Sequence, residues 1–433
     1  MDWITLGIVL FAALIILLFS GLPIAFSMGL AGLIGVWIFI APDAMVQIAN
    51  YCWKYGTDPG FSLIPMFILM AELLAVSGAA SELFTSAEKW FNRLPGALGA
   101  SAEVASCLFG ACCGTSTGGA AAMGLVATPE LLKRGYHPRL ATGLVAAGGT
   151  LSIIIPPSGI LILYGLLVEE SIGKLFIAGI VPGVLITLLF ILYIVIYAIL
   201  KPQDAPRLEG VITWKDRFKS LNKVWAFLLV AVIVLGSMYI GICTATEAGA
   251  VGAFTSLVLA LAYRQLTWAK FGEVLYRTVR VTCFIFFIIF GALTFAYLLT
   301  YLRIPQELAN LVIANGLSAT QFVIALMLLY LVLGFFIEPA GIILLTIPTV
   351  SPVLHTLDIN LIWLGILLTL TMQVANLTPP VGLNLFVMKS VCPEVSMGDI
   401  IRGSIPFALL ILVGLAFVIA FPPLATWLPG FMK

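Results

Sequence analysis

The sequence predicts an all-α, polytopic membrane protein made of two inverted-topology repeats, each with a re-entrant helical hairpin and a discontinuous helix. Three observations predict it. Of 433 residues, 62% are hydrophobic and 9% charged, whereas soluble domains carry about 25% charge. Apolar segments of roughly spanning length, about 20 residues each, follow one another along the chain. Pro and Gly signatures of the first half return 223 positions later, and basic residues flank the two halves differently.

Composition also excludes functions. A net charge of +1 offers no face for nucleic acid or an acidic partner. The seven cysteines, Cys52, Cys107, Cys112, Cys113, Cys243, Cys283 and Cys392, are odd in number and mostly in apolar runs, so no disulfide framework is visible. His137 and His355 are too far apart for an HExxH or His-rich metal site. MDWITLGIVL has no basic n-region and reads as a retained helix rather than a cleaved signal.

Spans are expected near 3–20, 22–40, 61–80, 97–112, 117–132, 140–165, 174–199, 224–241, 244–263, 281–301, 318–336, 340–354, 360–390 and 404–422. The polar stretch 201–223 holds Lys201, Arg207, Lys215, Arg217, Lys219 and Lys223, with Asp204, Glu209 and Asp216 among them. Its basic excess makes it cytoplasmic, and it divides the chain in two. Lys89, Trp90 and Arg93 read as an interfacial anchor, as do Trp214, Lys215 and Arg217.

Basic residues bracket 94–132: Lys89 and Arg93 before it, Lys133, Arg134 and Arg139 after it. A segment that enters and leaves on one face is a helical hairpin. Its tip, Gly110-Ala-Cys-Cys-Gly-Thr-Ser-Thr-Gly-Gly119, is small and hydroxylated, which suits close approach of backbone to a ligand. Two ordinary spans with a periplasmic turn are the alternative. The corresponding region 318–354 meets near Phe336-Ile-Glu-Pro-Ala-Gly341 and has almost no flanking positive charge, so it opens to the opposite side.

The 223-residue offset places Pro129 on Pro352, Pro156-Pro157-Ser-Gly159 on Pro379-Pro380-Val-Gly382, and Thr115 on Glu338. Inverted repeats with paired broken helices are an architecture of secondary transporters. Each double proline withholds N–H groups from the carbonyls four residues back. Those of Ser152 and Ile153, and of Ala375 and Asn376, are therefore released. A bare carbonyl in hydrocarbon needs a partner. A desolvated hard cation is one, with Thr115, Ser116, Thr117, Thr150, Ser152 and Thr378 completing its shell. Neighbouring helices or water satisfying a kink are the other. Half-helices after Pro157 and Pro380, the second with Asn384, aim N–H groups at a substrate carboxylate.

Acids and amides within apolar stretches are functional candidates by default: Glu72, Glu103, Glu247, Glu338, Gln373 and Asn376. Glu338 stands at a hairpin tip. Glu247 begins a helix, where capping is the better explanation, and Glu103 is placed to bond a neighbouring helix.

GGTLSIIIPPS (148–158), GFFIEPAGIILLTIP (334–348) and NLTPPVGLNLF (376–386) resemble the large membrane subunit of the tripartite ATP-independent periplasmic (TRAP) transporters, over essentially the whole chain. The resemblance implies an elevator-type secondary transporter. Scaffold and arm helices would occupy 1–96 and 224–303. The hairpins and broken helices of a mobile transport domain would occupy 97–172 and 304–392. Residues 173–223 would be a scaffold helix and loop, and 393–433 a C-terminal helix.

The family further implies Na⁺ as coupling ion at two sites: Cys113, Gly114 and Thr115 with Ser152, Ile155 and Pro157, and Phe336 and Glu338 with Ala375, Thr378 and Pro380. An organic acid, such as a dicarboxylate or sialic acid, would lie near Ser116, Thr117, Ser158, Asn376 and Asn384. Expected partners are a small four-helix membrane subunit, a periplasmic substrate-binding protein and the lipid bilayer. The chain would reside in the bacterial inner membrane with its N-terminus periplasmic. It departs from the family pattern at Cys113-Gly114-Thr115, often Ser-Gly-Ser, at Ser152, where Gly is usual, and at Gln373, where an acid is frequent. A stand-alone anion carrier of related architecture is the competing transporter reading. An intramembrane enzyme is the competing class, for which no paired acids in a GxGD-type motif, no GxSxG and no His base are read.

Overall fold

The computed structural model describes residues 2–207 and 212–432; Glu209 of the central loop lies outside them. Every element is helical, with no strand among the described residues. The first half runs α1 (Trp3–Phe19), α2 (Ile24–Phe39), α3 (Met45–Gly56), α4 (Leu63–Val76) and α5 (Ala79–Phe91). A hairpin follows, α6 (Ala97–Cys113) and α7 (Ser116–Lys133), then a broken helix, α8 (Pro138–Thr150) and α9 (Gly159–Val168), and α10 (Ile172–Leu200). The second half runs α11 (Trp214–Tyr239), α12 (Ala245–Ala262), α13 (Trp268–Tyr301) and α14 (Ile304–Ala314). Its hairpin is α15 (Ala319–Gly334) and α16 (Pro339–Thr356), its broken helix α17 (Leu361–Leu377) and α18 (Leu383–Val391), followed by α19 (Met397–Ala420) and α20 (Pro423–Thr426).

The repeat predicted from prolines is present element by element. α16 begins and ends 223 residues after α7, and α18 begins one residue later than α9 shifted by the same amount. Both expected long spans at 140–165 and 360–390 are interrupted at their double prolines, each of which contains one cis peptide bond. The expected span 61–80 is instead two helices, turned at Gly78 with φ +79°. α3, α5 and α14 were not among the expected spans, because they are short and interspersed with polar residues. Six helices are long and apolar enough to cross a membrane among the described residues.

Two helix groups frame the site. In one, α2 packs on α13 and α4 on α12 and α13. Small residues permit the close approach: a Cβ on Gly32 would stand 2.8 Å from the backbone of Thr294 and Phe295, and one on Gly291 would collide with the Ala25 carbonyl. In the other, the hairpin limbs pack on the broken helices. Each second limb meets the half-helix of the opposite repeat, α7 with α18 and α16 with α9. α10 lies against α6, α9, α17 and α19, on the hairpin side. α8 and α19 touch through Gly143 and Gly403, whose backbones leave no room for a methyl.

The two predicted interfacial anchors meet. The Arg217 guanidinium stacks over Trp214 at 4.8 Å and donates to Asn92 Oδ1 at 3.0 Å, while Trp90 packs edge-on against Phe218. Glu247 is a cap: its carboxylate accepts from the Thr244 backbone N–H at 2.8 Å and from the Thr244 hydroxyl at 2.9 Å.

Candidate functional site

The two hairpin tips meet at one cavity of about 130 Å³. From the first tip come Cys113, Gly114, Thr115, Ser116 and Thr117; from the second, Glu338, Pro339 and Ala340. The breaks contribute Pro157, Gly159, Asn376 and Leu383. The opposite wall is apolar: Ile64, Phe67 and Ile68 of α4, and Val281, Phe284 and Ile285 of α13. This wall has no sequence signal of its own. Its residues look like any lipid-facing apolar stripe until the fold sets them against the tips.

Ser116, Gly159, Pro339 and Leu383 are the first residues of α7, α9, α16 and α18, and all four line the cavity. Four helix N-termini therefore converge, each presenting backbone N–H groups and a partial positive charge of about half an electron. Among the described residues, no Lys, Arg or His lines the cavity. Glu338 brings the one carboxylate; it is the N-cap residue of α16, and its side chain makes no capping bond.

The first tip is latched to its break. The N–H of Gly159 donates to the Gly114 carbonyl at 3.2 Å. Gly114 has φ +65°, a left-handed conformation that suits glycine, and a Cβ there would stand 3.3 Å from the Pro157 carbonyl. Cys113 Sγ lies 3.7 Å from Thr115 Oγ1. The equivalent latch, Gly382 to Ile337, is absent among the described residues. Pro156 and Pro157 are buried, whereas Pro379 and Pro380 are exposed.

Two of the four carbonyls expected to be released are answered locally. Ser158 Oγ donates to the Ile153 carbonyl at 2.5 Å and also caps the N–H of Leu161. Ser158 therefore serves α9 and does not line the cavity. The Ala375 carbonyl accepts from the N–H of Thr378 at 3.3 Å, and Thr378 Oγ1 turns back to the Val374 carbonyl at 2.9 Å. Short polar side chains next to a break reach the bare carbonyls first.

The remaining predicted residues divide between cavity and interior. Ser152 is fully buried, its hydroxyl without a partner, and it sits between the hairpin limbs at Gly110 and Gly119. Ile155 packs on Gly183, and Ala375 on Gly334. Phe336 is exposed, its ring edge-on to Phe19. Asn376 opens to the cavity, while Gln373 is sealed with both amide atoms unpartnered. Asn384 is buried and spans the repeats, accepting from Ser116 Oγ at 3.0 Å and donating to the Ala146 carbonyl at 2.9 Å. Contrary to the expectation of no GxSxG, Gly114-Thr-Ser-Thr-Gly118 matches that spacing of a serine nucleophile. Here the Ser116 hydroxyl is bound to Asn384 and no His is at the cavity, so the base such chemistry needs is missing.

Comparison with known proteins agrees with this architecture. The family described as tripartite ATP-independent periplasmic transporter, DctM component, matches residues 11–424. The C4-dicarboxylate TRAP transporter large permease protein DctM of Pseudomonas aeruginosa is 36% identical, the match covering 94% of each chain. The sialic acid TRAP transporter large permease protein SiaM of Vibrio cholerae is 30% identical, over 95% of this chain and 96% of that one. Among solved structures, the Alcanivorax borkumensis YdaH transporter superposes with a TM-score of 0.61 at 16% identity, covering 90% of this chain and 89% of that chain.

Proposed function

The chain belongs to the tripartite ATP-independent periplasmic transporter family as its DctM component, and from that premise we propose that it drives Na⁺-coupled uptake of an organic carboxylate across the inner membrane. It is a multi-pass membrane permease subunit and not an enzyme. The observation that carries the substrate class is the convergence of four helix N-termini on a cavity without a basic side chain. Such ends hold an anion by oriented N–H groups, at little desolvation cost compared with a buried Lys or Arg. The class includes the C4-dicarboxylate and sialic acid named for the relatives.

Sodium is the natural counter-charge. A carboxylate substrate and Glu338 in one small cavity repel each other, and a cation among Thr115 Oγ1, the tip carbonyls and Glu338 offsets that repulsion. Hydroxyl and carbonyl oxygens suit a hard cation. Oxygens from both hairpins are available, but the Thr378 hydroxyl is already bonded to its own helix. The second sodium set, Phe336, Glu338, Ala375, Thr378 and Pro380, would need tip and break to close as the first tip has closed.

The mechanism is an elevator. Hairpins and broken helices move as one body, carrying substrate and sodium along the smooth apolar wall of α4 and α13. The small membrane subunit would brace that wall's group, and a periplasmic binding protein would deliver substrate. Uptake into proteoliposomes holding this chain, its small partner and the binding protein tests the reading. Accumulation that follows an inward Na⁺ gradient is expected; uptake indifferent to Na⁺ would sink the ion assignment. Uptake that needs no binding protein would turn the reading to a stand-alone carrier.

A further inference from the structure

The first limb of the first hairpin hides a carboxyl group for which the uptake scheme has no use. Glu103 is 0% exposed, and neither side-chain oxygen has a hydrogen-bond partner. Ser106 follows three residues later on the same face of α6, also buried and with its hydroxyl unpartnered. Both point at Gly148 of α8. A Cβ there would stand 2.6 Å from Ser106 Oγ and 3.1 Å from Glu103 Oε2, so the missing side chain makes the room. Next along the seam, Gly110 and Gly119 pack on Ser152, whose side-chain oxygen is also without a partner.

Among the described residues no cation answers the carboxyl. Of the elements packed on α6, α5 carries Glu88 and α7 carries Glu130, both facing Arg134. Glu72 of α4 faces Arg277 of α13. The titratable group beside Glu103 is the Cys107 thiol, one turn on and beside Thr187 of α10, and one turn back the N–H of Gly99 donates to the Tyr136 hydroxyl at 3.3 Å. An isolated carboxylate in such a place is prohibitively costly and takes up a proton instead. A metal ion fits poorly. Hard cations collect about six or more oxygens, and regular helices keep their carbonyls in their own ladders here, leaving only Glu103 and Ser106.

We propose that Glu103, set beside Ser106 at the space left by Gly148, is a proton-binding site of the first hairpin through which uptake responds to pH. The seam gives the route. It runs from Glu103 past Ser106 to Ser152, beside the break to which the tip is latched, so loss of the proton places an uncompensated charge between α6 and α8 and loosens the packing of the hairpin on the broken helix that holds its tip.

Infrared spectra of the full chain in lipid bilayers, taken from acid to mildly alkaline pH, read the proton directly. A protonated-carboxyl stretch should persist at neutral pH, disappear in Glu103→Gln and shift in Ser106→Ala. No difference between wild type and Glu103→Gln would mean an ionised carboxylate and overturn the assignment. If Glu103→Gln does not accumulate, an unshifted band in Ser106→Ala overturns it. In proteoliposomes with the partner proteins, the pH profile of uptake should flatten in Glu103→Gln. An unchanged profile would remove the link to transport.

Discussion

Ser116 donates a hydrogen bond to Asn384 across the two repeats, 3.0 Å from Oγ to Oδ1 over 268 sequence positions. The other end of the same amide donates to the Ala146 carbonyl at 2.9 Å. One side chain thus ties the half-helix α18 to the second limb of the first hairpin and to α8. All three groups are buried, so none can turn to water instead.

Asn384→Ala should therefore leave the buried Ser116 hydroxyl unsatisfied, costing about 1–3 kcal/mol, and remove a second bond from the Ala146 carbonyl. Thermal unfolding of the purified variant in detergent should show a lowered midpoint, with Ser116→Ala milder because it removes only one bond. Equal midpoints for Asn384→Ala and wild type would show that the strut carries no stability.

The hydroxyls at the first tip and at the second break should behave differently. Thr115 Oγ1 makes no cap bond and lines the cavity, whereas Thr378 Oγ1 is held by the Val374 carbonyl. Removing one oxygen from a bound cation costs about 1.5–3 kcal/mol, or roughly tenfold or more in apparent Na⁺ affinity. Thr115→Ala should show that loss in uptake measured against Na⁺ concentration, and Thr378→Ala less. Ser86→Ala, remote and bonded to Ser220 at 3.0 Å, should show none. A Thr115→Ala curve matching that of Ser86→Ala would discredit the tip as a cation site.

Gly149→Ala should destabilise the hairpin. Its Cβ would stand 2.5–2.6 Å from the Cβ, Cα and N of Ala120, where backbone as well as side chain must shift. Overpacking of this kind costs about 1–3 kcal/mol. Gly236→Ala is the contrast: nothing lies within 4 Å of its Cβ, and helix propensity predicts a gain of about 0.5–1 kcal/mol. Unfolding midpoints of the two variants should move in opposite directions; a stable Gly149→Ala would show that α7 and α8 are packed less tightly than described.

Phe284→Asp would set a carboxylate into the apolar wall opposite the four helix N-termini. It should occupy the anion field and repel the substrate, abolishing uptake of a carboxylate while the protein still reaches the membrane. Phe284→Asn, neutral and of similar size to Asp, should retain measurable uptake. Equal loss in both variants would point to shape rather than charge.

The site was legible in the sequence where it rests on local backbone rules. The double prolines announced the breaks, and Gly114 and Thr115 announced a tip. The pairing of Thr115 with Glu338 survives as two N-cap residues at one cavity. Ser158 and Thr378 bond to nearby carbonyls here, because a hydroxyl beside a bare carbonyl has two possible partners, and only geometry says which is nearer.

The sequence by itself determined the membrane class, the inverted repeat and the positions of the broken helices, since hydropathy, proline and glycine act within a few residues of where they stand. Only the tertiary structure decided that four helix N-termini share one cavity, that α4 and α13 wall it, that one tip is latched and the other is not, and that Glu103 has no partner. Those are relations between groups far apart in the chain. They depend on how closely small residues such as Gly148 and Gly149 let the helices approach, and that is settled by packing in three dimensions.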